Sequence, residues 1–352
     1  MKKLMSLLLV LVLTFGLVGC GAKASDAPAA APAQNSESNE SAKPAEPVKL
    51  QIALSAQESS PGAVTAVKLK EILEAKSNGN FQVDVYPNAQ LGGDRELIES
   101  TQAGSISMSS LTTAPMVSFI PDLAVFDMPM ALTDLEMARK VLDGPFRDQI
   151  AAKYEAAGFK LLMISPDSFR EMSSNIPVAG FEDFKGIDIR TMENKYHMAF
   201  WQNLGANPSP LAFSELYIAL QQGLVDAQEN PYATLVASKL YEQQKYVVNT
   251  NHIMFIATTV MNKDLYDGLS EEQKTVLNEA CAEAQEFGIE EGKRQAAASV
   301  EFLKEQGVEI IDLSPEVIGQ MKEAAEPVYD MIRQDIGEEL VNSLLDALDK
   351  AQ

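Results

Sequence analysis

Val48-Lys49-Leu50-Gln51-Ile52-Ala53-Leu54, the run from Ala63 to Ala75, and Phe81-Gln82-Val83-Asp84-Val85-Tyr86 together decide the fold. The first segment begins by alternating polar and apolar residues, and a polar loop with Pro61-Gly62 follows, which predicts a strand and a turn. The second reads as a helix. The third alternates at period two and stops at Pro87, so it is a second strand. With a further helical run near Arg95 to Ala103 and a short strand at Ile106 to Leu111, the order predicts an α/β lobe with a mostly parallel sheet.

The pattern continues outward from there. Thr133 with Glu136 suits a capping box for a helix through Val141, which ends before Gly144-Pro145, and Gly158 to Ser165 reads as a strand. After Pro166 the pattern restarts, with strands at Arg170 to Ser174 and Ile187 to Arg190 and a helical run from Tyr196 to Leu204. Ser214 opens a helix that Gly223 closes, and Leu224 to Gln228 is a short strand that ends at Asn230-Pro231. A second lobe is implied. Asn249 to Asn262 reads as a β segment returning to the first lobe, Ser270 with Gln273 opens a long helix to about Gln306, and Ser314-Pro315-Glu316 starts another.

Upstream of this body, Lys2 and Lys3 precede an apolar run from Leu4 to Val18, shorter than the ~20 residues a membrane-crossing helix needs. It reads as a signal peptide over residues 1–19. Its end, Leu17-Val18-Gly19-Cys20, resembles the lipobox of bacterial lipoproteins, which predicts a lipid on Cys20. Residues 20–47 are Ala, Pro, Ser, Glu, Asn and Lys with almost no large apolar side chain, so they bury too little to offset ordering and predict a disordered tether. The body is long enough for two domains of about 100 to 200 residues each.

The formal charge is −22, and losing Lys2 and Lys3 with the leader takes it to −24. That argues against a nucleic-acid partner, whose phosphates want a basic face. An anion site in so acidic a chain must rest on local cations acting within about 8 Å. With Cys20 lipidated, Cys281 stands alone, so no intrachain disulfide forms; its helical-spaced apolar neighbours predict a core position.

No common catalytic or cofactor motif appears. His197 and His252 are too far apart for a local metal motif, and there is no Cys-x-x-Cys, nucleotide-phosphate loop, dinucleotide fingerprint or nucleophile elbow. The histidines read as polar core residues. The positive signal is two arginines. Arg190 ends the strand Gly186-Ile187-Asp188-Ile189-Arg190, and strand ends in α/β lobes are where ligands sit. Arg170 lies in Phe169-Arg170-Glu171-Met172, at the border of the second lobe. A guanidinium can grip a carboxylate with two parallel bonds, which lysine cannot do.

Three further stretches carry a resemblance. Ala206-Asn207-Pro208-Ser209-Pro210-Leu211-Ala212-Phe213-Ser214-Glu215-Leu216-Tyr217, continued by Ala219-Leu220-Gln221-Gln222-Gly223-Leu224-Val225-Asp226-Ala227-Gln228-Glu229-Asn230-Pro231, resembles the central signature of the solute-binding subunits of TRAP transporters, the DctP-type family. Tyr86-Pro87-Asn88-Ala89-Gln90-Leu91-Gly92-Gly93-Asp94-Arg95-Glu96 resembles a second marker of it, and Lys239 to Tyr246 with Thr250-Asn251-His252 a third.

The resemblance implies two α/β lobes joined by crossing strands and a long bent, hinge-spanning helix, closing on an organic anion. It implies that Arg190 pairs with the ligand carboxylate, that Arg170 assists, that Asn230 reads a neighbouring oxygen and that Phe213 lines the cleft. First-lobe contacts fall on Gln57, Glu58, Asp94 and Thr112; the sialic-acid binders carry glutamate where Thr112 stands. A C4-dicarboxylate or a sugar acid such as a uronate or aldonate is the implied ligand. The implied lobes are residues 48–167 with 256–295, and 168–255 with 296–352. No cofactor, metal or catalytic residue is expected. The expected partners are a small and a large integral-membrane subunit, and the expected state is a monomer held by Cys20 on the outer face of the cytoplasmic membrane. An ABC-type receptor and a surface hydrolase or lyase are the alternative readings.

Overall fold

The computed structural model describes residues 46–351, so the leader, Cys20 and the tether up to residue 45 lie outside the described residues. β1 (Val48–Ala53), α1 (Pro61–Lys76), β2 (Phe81–Tyr86), α2 (Asp94–Gln102) and β3 (Met108–Thr112) form the first βαβαβ unit. In β2 Phe81 and Val83 are buried while Gln82 and Asp84 are exposed, the one-sided burial its alternation predicts. After α3 (Thr113–Met116) and a 3-10 segment at Pro121–Asp127 come α4 (Leu135–Leu142), α5 (Pro145–Ala156) and the long β4 (Phe159–Ser174). β5 (Asp188–Thr191), α6 (Lys195–Asn203), β6 (Asn207–Pro210), α7 (Leu216–Gln221), β7 (Ala227–Asn230) and α8 (Tyr232–Ala237) build the second unit. β8 (Tyr246–Asn262), α9 (Lys263–Asp267), α10 (Glu271–Glu305), β9 (Glu309–Asp312), α11 (Pro315–Ile336) and α12 (Glu338–Ala351) complete the chain.

The strands form one sheet in the order β2-β1-β3-β8-β4-β7-β5-β6, with β9 beside β8. Pairings among β1 to β3 and among β5 to β7 are parallel, whereas β4 and β8 run antiparallel to each other from Phe159↔Asn262 to Ser174↔Tyr246. This two-stranded ribbon joins the parallel units, which makes the fold two-lobed. α10 spans it as well. Leu277, Ala280, Cys281 and Ala284 pack with Leu69 and Leu73 of α1 and Ile52 of β1, and Leu303 packs with Leu216, Leu220 and Leu235 at the other end. Cys281 is a core residue, as expected, and burial pushes its thiol up to about 12.

Three local expectations are corrected. The cap of α4 is Asp134, whose Oδ1 accepts the Met137 N–H at 2.7 Å, so Thr133 is not the cap. Pro166 does not end a strand, because β4 continues through it with register breaks at Leu161/Met163, Pro166/Ser168 and Arg170/Met172. Ser214 lies inside a 3-10 turn at Phe213–Glu215 rather than capping α7. The capping box of Ser270 and Gln273 and the N-cap of Ser314 form as expected.

The third register break matters most for function. Between Arg170↔Ile253 and Met172↔Val248 the chain of β8 bulges through residues 249–252 opposite Glu171, and Glu171 Oε2 accepts the Asn251 N–H at 2.8 Å. Asn251 has φ 42°, a conformation asparagine tolerates better than most residues. The bulge re-aims His252 into the interior.

Candidate functional site

Arg170 and Arg190 are each 1 % exposed and rank among the largest fully buried side chains. Arg170 leaves β4 beside β7, where Met172 pairs with Glu229 and Glu171 with Asn230. Its Nε donates to the Glu229 carboxylate, and its Nη2 donates to Glu229 Oε1 at 3.0 Å, to Asn230 Oδ1 at 3.1 Å and to the Glu229 carbonyl. Arg190, in β5 between β6 and β7, donates from Nε and Nη2 to the Leu211 carbonyl at 2.9 and 2.5 Å. Both keep a buried Nη1 without a partner. A buried donor left empty costs about 1 to 3 kcal/mol, more for a charged group, so two of them near each other mark a place for an acceptor.

The two cations differ in compensation. Glu229 neutralises Arg170 in direct contact, while no acidic side chain among the described residues lies at ion-pair distance from Arg190. Burial lowers the Arg190 guanidinium to about 10, with the charge of Glu229 acting against that, so it remains a cation at neutral pH.

A cleft of about 130 Å³ opens beside Arg190, walled by Asp94, Pro115, Met192, Glu193 and Phe213 among others. Asp94 starts α2 and arrives from the first lobe on the Gly92-Gly93 loop. Gly92 has φ +122°, and a Cβ there would stand 2.7 Å from Glu96 Cβ, so only glycine permits the turn. At Gly93 an added Cβ would come within 4.0 Å of Ser214 Oγ, which shows how closely this loop approaches the second lobe. Ser55 Oγ donates to Asp94 Oδ1 at 2.5 Å. Burial raises the Asp94 carboxyl, and the Ser55 bond and the Arg190 charge draw it back.

Of the expected residues, Arg190, Asp94 and Phe213 share this cleft, with Arg170 adjacent through electrostatic contact. Asn230 holds to the protein through both amide atoms: its Oδ1 accepts from Arg170, and one Nδ2 hydrogen is donated to Gln228 Oε1 at 2.6 Å. It positions the guanidinium. Gln57 is half-buried and Glu58 exposed, its N–H donating to Asn88 Oδ1 at 3.0 Å; neither lines the cleft. Thr112 closes β3 opposite Ala257 and is also off the wall. A second void of about 100 Å³ lies behind Phe255, whose ring is 5.8 Å from Arg170 Cζ; Asp167 faces it, and burial raises that carboxyl to about 6.

Behind Arg170 stands a polar network that motif inspection misses. His252 Nε2 meets Glu229 Oε2 at 3.2 Å and its Nδ1 meets Thr250 Oγ1 at 2.9 Å, a pairing that a neutral ring satisfies by donating to the carboxylate and accepting from the hydroxyl. Burial holds its pKa down. His197 differs, because carboxylates flank both nitrogens: Asp127 Oδ1 at 3.0 Å from Nε2 and Glu229 Oε1 at 3.7 Å from Nδ1. A neutral ring would turn a lone pair towards one of them. Burial alone would lower its pKa, yet Asp127 and Glu229 overcome that and raise it to about 9. Asn194 Nδ2 links Asp127 Oδ2 at 2.7 Å to the Ala114 carbonyl at 3.1 Å. Against the opposing effect of burial, the Arg170 charge above all, with the contacts from His197 and His252, holds the Glu229 carboxyl well below its ordinary value.

No group of three metal-ligating side chains is present among the described residues, and no helix there is long and apolar enough to cross a membrane.

Over residues 52–335 the chain matches the family described as bacterial extracellular solute-binding protein, family 7 (DctP). It is 32% identical over 299 residues to the C4-dicarboxylate-binding periplasmic protein DctP of Rhodobacter capsulatus, covering 84% of this chain and 90% of that one. The crystal structure of the sugar acid binding protein DctPAm from Advenella mimigardefordensis, in complex with galactonate, superposes with a TM-score of 0.85 at 31% identity, covering 87% and 99% of the two chains. A TRAP periplasmic solute binding protein from Polaromonas, bound to D-erythronate, superposes with a TM-score of 0.81 at 30% identity, covering 85% and 98%.

Proposed function

We propose that this chain, which belongs to the DctP family of bacterial extracellular solute-binding proteins, captures a small organic acid by docking its carboxylate on Arg190, with Arg170 assisting, and delivers it to the membrane subunits of a TRAP-type transporter. The observation that carries the reading is the pair of buried Nη1 donors without partners, one on each arginine. A carboxylate has two oxygens to offer them. Burial gives such charge-assisted bonds their strength and removes competing water.

The lobes are assigned as residues 48–167 with 256–295, and 168–255 with 296–352, so the arginines belong to the second lobe or its border and Asp94 to the first. A ligand touching both favours closure only through contacts the open form lacks. On this reading the acid is held and released unchanged, and family membership replaces the ABC-type receptor alternative. We assign the lipid anchor to Cys20, the location to the outer face of the cytoplasmic membrane, and the working unit to a monomer.

Titration calorimetry with a panel of organic acids tests the anchor. Arg190→Ala should weaken binding of any acid that binds the unaltered protein by about 2 to 5 kcal/mol, the range for removing one partner of a buried charge pair. Unchanged affinity in a variant with an unaltered melting profile defeats the assignment.

A further inference from the structure

The geometry points to a cleft selective for hydroxylated monocarboxylates of the aldonate kind against the corresponding dicarboxylates, with Asp94 as the selecting residue; this rests on the anchoring by Arg190 proposed above. Three observations converge on it.

The first is a charge count at contact distance. Arg170 already has its carboxylate in Glu229, so Arg190 is the one buried cation of the pair with no acidic partner. One free buried cation compensates one ligand carboxylate. The second is the sign of the opposite wall. Asp94 and Glu193 both line the cleft and both act electrostatically on Arg190. Glu96 adds a third carboxylate, and the remaining cation there, Arg95, is paired with Glu99 at 3.1 Å and is more than half exposed. A second ligand carboxylate would therefore meet like charges, at a position where burial already opposes ionisation of Asp94.

The third is hydrogen-bonding capacity. An ionised carboxylate only accepts, and of the Asp94 oxygens Oδ1 takes the Ser55 hydroxyl, leaving Oδ2 for another donor. A ligand hydroxyl supplies that donor; a carboxylate cannot. A site built to accept from a hydroxyl rejects an analogue lacking it more strongly than an apolar pocket rejects a change of size.

The test uses acid pairs that differ at one end only: D-erythronate against meso-tartrate, and D-galactonate against galactarate, in each of which a terminal CH₂OH becomes a carboxylate. Calorimetry on the protein at neutral pH should show at least one monocarboxylate binding tenfold or more tighter than its diacid. Asp94→Asn, which removes the charge and adds a donor, should narrow that ratio to threefold or less, chiefly by improving the diacid. Equal or tighter binding of both diacids overturns the inference, as does an unchanged ratio in Asp94→Asn or an absence of binding by all four acids. The anchor is separable: if Arg190→Ala abolishes binding of whichever acid binds while the diacid is preferred, the anchor stands and the selectivity falls. If a monocarboxylate binds Arg190→Ala as well as the unaltered protein, the anchor falls.

Discussion

Replacing His197 by glutamine removes the cation that separates two buried carboxylates. Asp127 and Glu229 flank its nitrogens, and Arg170 and His252 are the other ionisable groups of the network. Its pKa stands at about 9 against an ordinary 6.5. Each pH unit of such displacement corresponds to about 1.4 kcal/mol, so the imidazolium contributes up to about 3 kcal/mol of stability. The group is raised on folding, so that contribution is complete below pH 6.5 and is lost as the pH climbs through 9. His197→Gln should lower stability by about 3 to 5 kcal/mol near pH 6, the range for breaking a buried ion pair.

The assay is urea unfolding of both proteins at several pH values from about 6 to 10, read as the difference between them. Glu171, which burial raises to about 8, also weakens folding as pH rises, but it does so in both proteins and cancels in the difference. The gap should shrink between pH 6.5 and 9. A gap that stays constant across that window refutes the charged state of His197. Should His197→Gln not fold, Asp127→Asn serves instead: with one flanking carboxylate gone, the window should move to lower pH.

Two further outcomes are expected. Gly92→Ala forces a side chain into a glycine-only conformation and against Glu96, at a cost of about 1 to 3 kcal/mol, and displaces the loop that presents Asp94; calorimetry should show at least a tenfold loss of affinity for an acid that binds the unaltered protein. Cys20→Ser should release the protein from the membrane fraction without altering its affinity, and a variant that remains membrane-bound disproves the lipid anchor.

Much of the fold is legible because burial is one-sided where the sequence alternates. β1 and β2 emerge from period-two patterning, and α10 from its Ser270 box. β4 is legible only as two halves, Gly158 to Ser165 and Arg170 to Ser174, because proline lacks the N–H that a ladder needs and Pro166 therefore reads as a stop. In the structure Pro166 stays paired opposite Ile256, and the ladder shifts register only between Pro166 and Ser168. β6 hides for a related reason: Asn207-Pro208-Ser209-Pro210 resembles a loop, yet it occupies the end of the sheet order, where proline is tolerated.

At the site, the arginines show themselves by lying at strand ends, but their partners do not. Glu229 is one of 50 acidic residues, most of them solvated, and nothing nearby in the sequence marks it as wholly buried. His197 and His252 reach Glu229 from a helix and a bulged strand, and Asp127 reaches His197 from a 3-10 segment, so the assembly of this network is a property of topology alone. The faint signal is β7 itself, buried at all four residues, where a glutamate can survive only if cations meet it. They do, and the two arginines differ in their partners accordingly. Arg170 spends its charge on Glu229 and is held by it, whereas Arg190 is tethered by a neutral carbonyl, and the proposed docking of a solute carboxylate rests on that uncompensated charge.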